Sequence, residues 1–183
     1  PALGMLYYAP QCWTSDDSDA VERLKIQYGT SFCYPVSSMG AHVSAVPNHQ
    51  VNRVTPLYTR ANVAFFGAFG YELDLGRLTE EERSQVREQI AFMKEYREVL
   101  QFGDFYRLLS PFEGNITAWM VVSPDRRTAL AGWYRTLNEV NGPFRRMKLR
   151  GLDPALDYTV NGCSVHGGDE LMEVGLLTTD SAA

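Results

Sequence analysis

Apolar and polar positions follow two rhythms along this chain, and the change between them falls a little past its midpoint. The first apolar run, Met5 to Trp13, carries Tyr7, Tyr8 and Trp13 and gives way at once to Thr14-Ser15-Asp16-Asp17-Ser18-Asp19. That is the pattern of a buried strand ending in a polar loop. From Ala20 to Tyr28, the apolar residues Val21, Leu24 and Tyr28 fall at i, i+3 and i+7, as on one face of a helix. Asp19 stands four residues before Arg23, so the two are expected to pair, and Gly29 is placed to close the helix as a left-handed cap. Strand, acidic loop and helix together read as a βα unit.

Ser31 to Val36 is a second short apolar run and leads into a long uncharged loop, Ser37 to Pro56, with Gly40, Pro47 and Pro56 in it. A third, Asn62 to Phe69, is rich in Ala, Val and Phe and precedes Gly70-Tyr71-Glu72-Leu73-Asp74. Both are expected to be strands. Thr79 then opens a strong helix: Thr79 with Glu82 has capping-box spacing, and three successive acidic residues suit the positive end of the helix dipole. Val86, Ile90, Met93 and Leu100 mark its apolar face, and Gly103 is placed to end it. Apolar strands alternating with amphipathic helices indicate parallel strands covered on both faces.

Beyond about Asp104 strand-like runs follow one another. Ile116–Val122 and Thr128–Leu137 are joined by Ser123-Pro124-Asp125-Arg126, a turn with proline at its second position, and Phe144–Leu149 and Tyr158–Val160 continue the series. Arg145, Arg146, Lys148 and Arg150 alternate with Met147 and Leu149, as on the solvent face of a strand. No helical period is apparent, and Gly162, Gly167 and Gly168 read as turn residues. The boundary between the α/β part and the antiparallel β part is expected near residues 103–110, dividing the chain into residues 1–104 and 105–183.

Composition narrows the function. The net charge of -5 and the lack of any Lys/Arg-rich run argue against a nucleic-acid partner, which needs a clustered basic face. No apolar run approaches the roughly 20 residues of a membrane-spanning helix, so no membrane partner is expected. Cys12, Cys33 and Cys163 lie far apart and in no zinc-knuckle spacing, so they are expected to be buried free thiols in a reducing, cytoplasmic setting.

Candidate chemistry gathers at strand ends. Asp16 and Asp17 stand where the first strand meets its helix, the edge of an α/β fold at which catalytic groups converge. A carboxyl held partly desolvated there titrates upward and delivers a proton near neutral pH. Spacing alone leaves a second reading open, in which Ser15, Ser18 and Asp19 cap the helix and Asp16 and Asp17 are solvated neighbours. No ligand-like spacing supports a metal site in this acidic stretch. His42 and His49, seven apart, match neither a zinc helix nor a finger, and fit a loop-ordering or sugar-contacting role better. Glu72 and Asp74 follow the third apolar run, again at a strand end, and a purely structural role fits them better than a chemical one.

Residues 4–30, running Gly-Met-Leu-Tyr-Tyr-Ala-Pro-Gln-Cys-Trp-Thr-Ser-Asp-Asp-Ser-Asp-Ala-Val-Glu-Arg-Leu-Lys-Ile-Gln-Tyr-Gly-Thr, closely resemble the bacterial-type α-galactosidases, a family of large retaining glycoside hydrolases. The likeness continues through Tyr34-Pro35, the block Met39 to Gln50, Arg53-Val54-Thr55-Pro56, Phe69 to Leu75 and Gly168-Asp169-Glu170-Leu171-Met172. It implies the C-terminal portion of a (β/α)8 barrel, its strands six to eight, followed by an antiparallel β-sandwich segment. It also implies hydrolysis of terminal α-galactosyl residues by double displacement, with Asp16, the last residue of Trp-Thr-Ser-Asp, as general acid/base.

By the same resemblance the partners are α-galactoside oligosaccharides, no metal or organic cofactor is needed, and the parent enzyme is expected to be a homo-oligomer. A sugar in place of water as acceptor would give a raffinose- or stachyose-forming enzyme, and a non-catalytic carbohydrate-binding fragment is the alternative of another class. The family's Lys-Trp-Asp nucleophile motif and its Cys-Ser-Gly-Gly-Gly-Gly loop are absent from this sequence, and Pro-Ala-Leu-Gly-Met stands where Asp-Pro-Gly-Met is usual. A complete barrel takes about 250 residues. The chain is therefore expected to be a fragment that supplies one half of a two-carboxylate mechanism and is inactive alone.

Overall fold

The computed structural model describes residues 3–178, so the opening Pro-Ala and the closing residues 179–183 lie outside the described part. The chain forms two compact units, one running through Phe102 and the other beginning at Gly103.

The first unit contains α1 (Ala20–Thr30), β1 (Gly40–Ser44), α2 (Leu57–Ala64), β2 (Ala68–Glu72) and α3 (Glu80–Phe102). β1 and β2 are parallel, with Gly40 opposite Ala68, His42 opposite Gly70 and Ser44 opposite Glu72. Cys12 extends the arrangement on the other edge of β1 by a parallel bridge to Met39. Strand alternation sends Ala41 and Val43, fully buried, to one face, and Gly40, His42 and Ser44 to the other. On β2, Phe69 begins a run of ring contacts through Phe65, Phe92 and Tyr96 that ties the strand to α2 and α3.

Several local expectations are corrected. Leu3–Tyr7 is a 3₁₀ turn with Tyr7 and Tyr8 exposed, where a buried strand was expected. Only Cys12 of that run finds a strand partner, and Pro10 just before it has no amide to give. Ser31–Val36 is turn and the start of a 3₁₀ helix, because Pro35 breaks the run and the strand begins only at Gly40. Asn62 to Phe69 is divided between the end of α2 and the start of β2: Pro56 precedes the helix, and Leu57, Ala61 and Ala64 form its buried stripe. Gly29 lies inside α1, whose C-cap is Ser31. In α3 the capping box is present, Glu82 N donating to Thr79 Oγ1 at 3.2 Å and Thr79 N to Glu82 Oε2 at 2.9 Å.

The second unit holds β3 (Asp104–Leu109), β4 (Ile116–Val122), β5 (Ala129–Arg135), β6 (Arg145–Met147), β7 (Asp157–Val160), β8 (Ser164–Gly167), α4 (Gly168–Glu173) and β9 (Leu176–Thr178). Every described pairing in it is antiparallel: β3-β4-β5 as a meander, β6 with β9 and β7 with β8. Alternate residues of β4, Ala118, Met120 and Val122, pack with Met147, Leu149, Leu152 and Leu171 into one core. Arg145, Arg146 and Lys148 stay at the surface, as the alternation with Met147 and Leu149 requires. The turn after β4 is closed by Arg126 N donating to Ser123 O at 2.8 Å.

The helix α4 was not anticipated. It starts directly on the Gly167-Gly168 pair taken for turn residues, with Gly167 as its N-cap. A Cβ on Gly168 would collide with the carbonyl of Asp153, while its amide donates to Leu156 O at 2.8 Å, so this helix start needs glycine. His166 links β8 to α4, its ring nitrogens lying 3.0 Å from Ser164 Oγ and 3.1 Å from Glu170 Oε1. All three cysteines are free, but Cys33 and Cys163 are exposed, lying on a turn after α1 and in the β7–β8 hairpin rather than in a core. No helix among the described residues is long and apolar enough to cross a membrane.

Candidate active site

The acidic stretch after Trp13 is ordered from its buried end outward. Asp19 is the N-cap of α1: its Oδ2 accepts the amides of Val21 and Glu22, both at 3.1 Å, and its side chain is almost fully buried. The expected Asp19–Arg23 pair is replaced by an ion pair between Asp19 and Arg53. Asp17 is the next layer. Its Oδ1 accepts the amide of Asp19 at 2.9 Å, and its own amide donates to Ser15 Oγ at 3.1 Å.

Asp16 is exposed and has no hydrogen-bond or ion-pair partner among the described residues. It borders a small concavity with Trp13, Ser15, Asp17, Arg23, His42 and Glu72. The partial burial expected for this carboxylate is not provided by the described residues. Asp16 and Asp17 border the same hollow, and what separates them is that Asp17 is held by the helix start.

Arg23 supplies the positive side of this hollow. The sequence paired it with Asp19, yet it is buried and turned elsewhere, donating from Nη2 to Gly40 O at 2.5 Å and from Nε to Gln27 Oε1 at 3.2 Å. Burial pulls its guanidinium down to about 10, against the raising effect of Asp17, so it stays a cation at neutral pH. Gln27 in turn donates to the carbonyls of Val63 and Phe66 at 3.0 and 3.1 Å, and Arg60 donates from Nε to Thr55 O at 3.1 Å and from Nη1 to Ser44 O. These buried polar side chains anchor the strand ends that carry the hollow. Gln27 and Arg60 were not singled out from sequence, and Arg23 was read only as a partner for Asp19; an Arg and a Gln four apart on α1 was the available signal.

His42 is half-buried on β1. Its ring meets Trp13 edge-on, with centroids 4.9 Å apart and planes at 66°. Its Nδ1 lies 3.9 Å from Glu72 Oε2, beyond hydrogen-bond distance. Burial lowers its pKa, Glu72 partly opposes this, and Arg23 adds to the lowering, so the ring is neutral at pH 7. His49 is exposed in the loop after β1, away from this group. Asp74 has a structural role, accepting the amide of Gly76 at 2.9 Å in the turn before α3, whereas Glu72 joins the hollow. No group of three or more His, Cys, Asp or Glu side chains among the described residues is arranged to hold a metal ion.

One exposed carboxylate without a partner, beside an indole, an imidazole and a buried guanidinium, can give a proton to, and take one from, an oxygen placed in the hollow. Residues 2–103 match the Melibiase family, and residues 116–182 match the glycosyl hydrolase family 36 C-terminal domain. The α-galactosidase AgaA of Geobacillus stearothermophilus is 61% identical over 173 residues, which are 94% of this chain and 24% of that protein. Among solved structures, a variant of the same AgaA in complex with raffinose superposes with a TM-score of 0.95 at 57% identity, over 98% of this chain and 25% of that one. Another AgaA variant, in complex with stachyose, superposes with a TM-score of 0.94 at 60% identity, over 96% of this chain and 24% of that one. The chain thus spans about a quarter of the length of the relatives it matches.

Proposed function

Since this chain belongs to the Melibiase family and carries the glycosyl hydrolase family 36 C-terminal domain after it, we propose that it serves an enzyme that removes terminal α-galactosyl residues from raffinose- and stachyose-type oligosaccharides, with Asp16 as the general acid/base. The observation that carries the assignment is the contrast among the three neighbouring carboxylates. Asp19 is consumed by the helix start and Arg53, and Asp17 is held by the amide of Asp19. Of these three, only Asp16 borders the hollow with no partner among the described residues.

In the retaining mechanism Asp16 protonates the glycosidic oxygen as a second carboxylate attacks the anomeric carbon. The leaving sugar departs as an alcohol, and a galactosyl ester remains on that second carboxylate. Asp16, now ionised, takes a proton from water as the water attacks the ester, which releases galactose with its anomeric configuration retained. The nucleophile in this reading stands in the Lys-Trp-Asp motif that this sequence lacks.

The test is made in the full-length enzyme that contains these residues. Asp16→Ala should lose most activity on melibiose, whose alkoxide leaving group needs the proton, and much less on an aryl galactoside with an acidic phenol. Azide, which attacks without a base, should then restore part of the turnover on the aryl substrate. If Asp16→Ala cleaves melibiose at near wild-type rate while Asp17→Ala does not, the role belongs to Asp17.

A further inference from the structure

We propose that His42 is a positioning residue, holding the indole of Trp13 at the edge of the hollow beside Asp16; this rests on the galactosidase reading above. The face that β1 and β2 share around the hollow is built from Gly40, His42 and Ser44 on one strand and Ala68, Gly70 and Glu72 on the other. Two of these six residues are glycines, and each lies against one of the two rings. His42 stands opposite Gly70, where an added Cβ would come within 2.9 Å of His42 Cδ2. A Cβ on Gly40 would come within 3.4 Å of Trp13 Cδ1 and 3.2 Å of Gln11 Nε2. The sheet is thus hollowed under both rings, at the two positions that bring them together.

Trp13 needs such a partner because it is 52% exposed, and burial alone leaves its side chain several rotamers. An edge-to-face contact at 4.9 Å supplies a directional preference, since the positive rim of one ring faces the negative face of the other. His42 is itself held by β1, which carries its backbone in the parallel pair, and by the room over Gly70. The lowered pKa of His42 is consistent with this: a neutral ring makes the contact without bringing a second cation next to Arg23. Trp13 is three residues before Asp16 and borders the same hollow, so fixing the indole fixes one wall of the place where the glycosidic oxygen must sit. Misplacement on the scale of an ångström at such a wall costs up to about a hundredfold in rate.

The experiment is a double-mutant cycle in the full-length enzyme, with kcat and KM measured on melibiose. His42→Ala is expected to lose about tenfold or more in kcat/KM. His42→Phe, which keeps a ring over Gly70, should recover most of it. The double variant Trp13→Ala/His42→Ala should lose no more than Trp13→Ala alone, because His42 has nothing left to position. Gly70→Ala, which crowds the imidazole from beneath without touching Trp13, should reproduce the loss of His42→Ala and keeps the test alive if that variant folds poorly. Losses that multiply in the double variant, or a His42→Phe enzyme as poor as His42→Ala, would overturn the positioning role. Asp16→Asn measured alongside separates the two readings: near wild-type cleavage of melibiose by that variant removes the acid/base assignment and this proposal with it. A dead Asp16→Asn with independent His42 and Trp13 losses removes only this proposal.

Discussion

Arg53 closes on the same Oδ2 of Asp19 that accepts the first two amides of α1, joining a loop residue to a helix start 34 positions earlier in the chain. Asp19 is 1% exposed, so this cation and those amides are what make its burial tolerable. Arg53→Met should therefore destabilise the first unit by about 1–3 kcal/mol, the cost of leaving a buried acceptor short of a partner. The measurement is urea unfolding of the full-length enzyme followed by tryptophan fluorescence. A transition unmoved by the substitution would show that the amides of α1 alone satisfy Asp19.

His42 makes stability depend on pH in a direction set by its burial. Its folded pKa lies below the ordinary 6.5, so at pH values just under 6.5 the unfolded chain takes up a proton that the folded chain refuses. Stability is fully present above about 6.5 and falls as the pH drops through that value toward the folded pKa. His42→Gln should flatten this part of the profile, read as thermal midpoint against pH between pH 5 and 7.

Tyr71 donates its hydroxyl to Gln89 Oε1 at 2.8 Å, and burial pushes its phenol up to about 12. Tyr71→Phe keeps the ring contacts of β2 with its neighbours but leaves the buried Gln89 carbonyl without that donor. A loss of about 1–3 kcal/mol is expected, and Tyr71→Phe/Gln89→Leu should recover part of it. A double variant less stable than Tyr71→Phe would show that Gln89 has another role.

In the second unit, Leu171 is 2% exposed and packs where α4 meets the β4 face. Leu171→Ala should cost about 2–5 kcal/mol through lost burial and the cavity left behind. The expected sign is a lower urea midpoint with no change in the pH dependence of activity.

The elements legible in the sequence were those whose signals are local. The capping box of Thr79 and Glu82, the N-cap of Asp19 and the alternation of Met147 and Leu149 each draw on residues a few positions apart, and all three are present. The antiparallel nature of the second unit followed likewise from short strands and turn chemistry. α2 was misread because Ala, Val and Phe serve a buried helix and a buried strand equally, so the run 62–69 concealed its own midpoint. α4 is six residues long and starts on two glycines, too short for a period to show.

At the candidate site, the sequence reading put Asp16 at a strand end, where the structure has only the isolated bridge of Cys12, and the choice of Asp16 from its neighbours came from the resemblance to α-galactosidases. The burial of Arg23, Gln27 and Arg60 was not visible, because each has among its partners a backbone carbonyl 16 or more residues away, in one case 39. The meeting of His42 with Trp13 depends on strand register, which no local pattern encodes.

The strand pairings of the second unit also imply an order of assembly. β4 and β5 are joined by the six residues 123–128, whereas Arg145 of β6 meets Thr178 of β9 across 33 positions that include β7, β8 and α4. Hairpins close within about 1–10 μs, while pairings between distant segments must first overcome the entropy of a longer loop. During refolding of the full-length enzyme, pulsed hydrogen exchange should find the amides of Val121 and Leu130 protected before those of Met147 and Leu176. The β4–β5 hairpin then acts as the surface on which the unit condenses, and β6 with β9 is the seam that closes it.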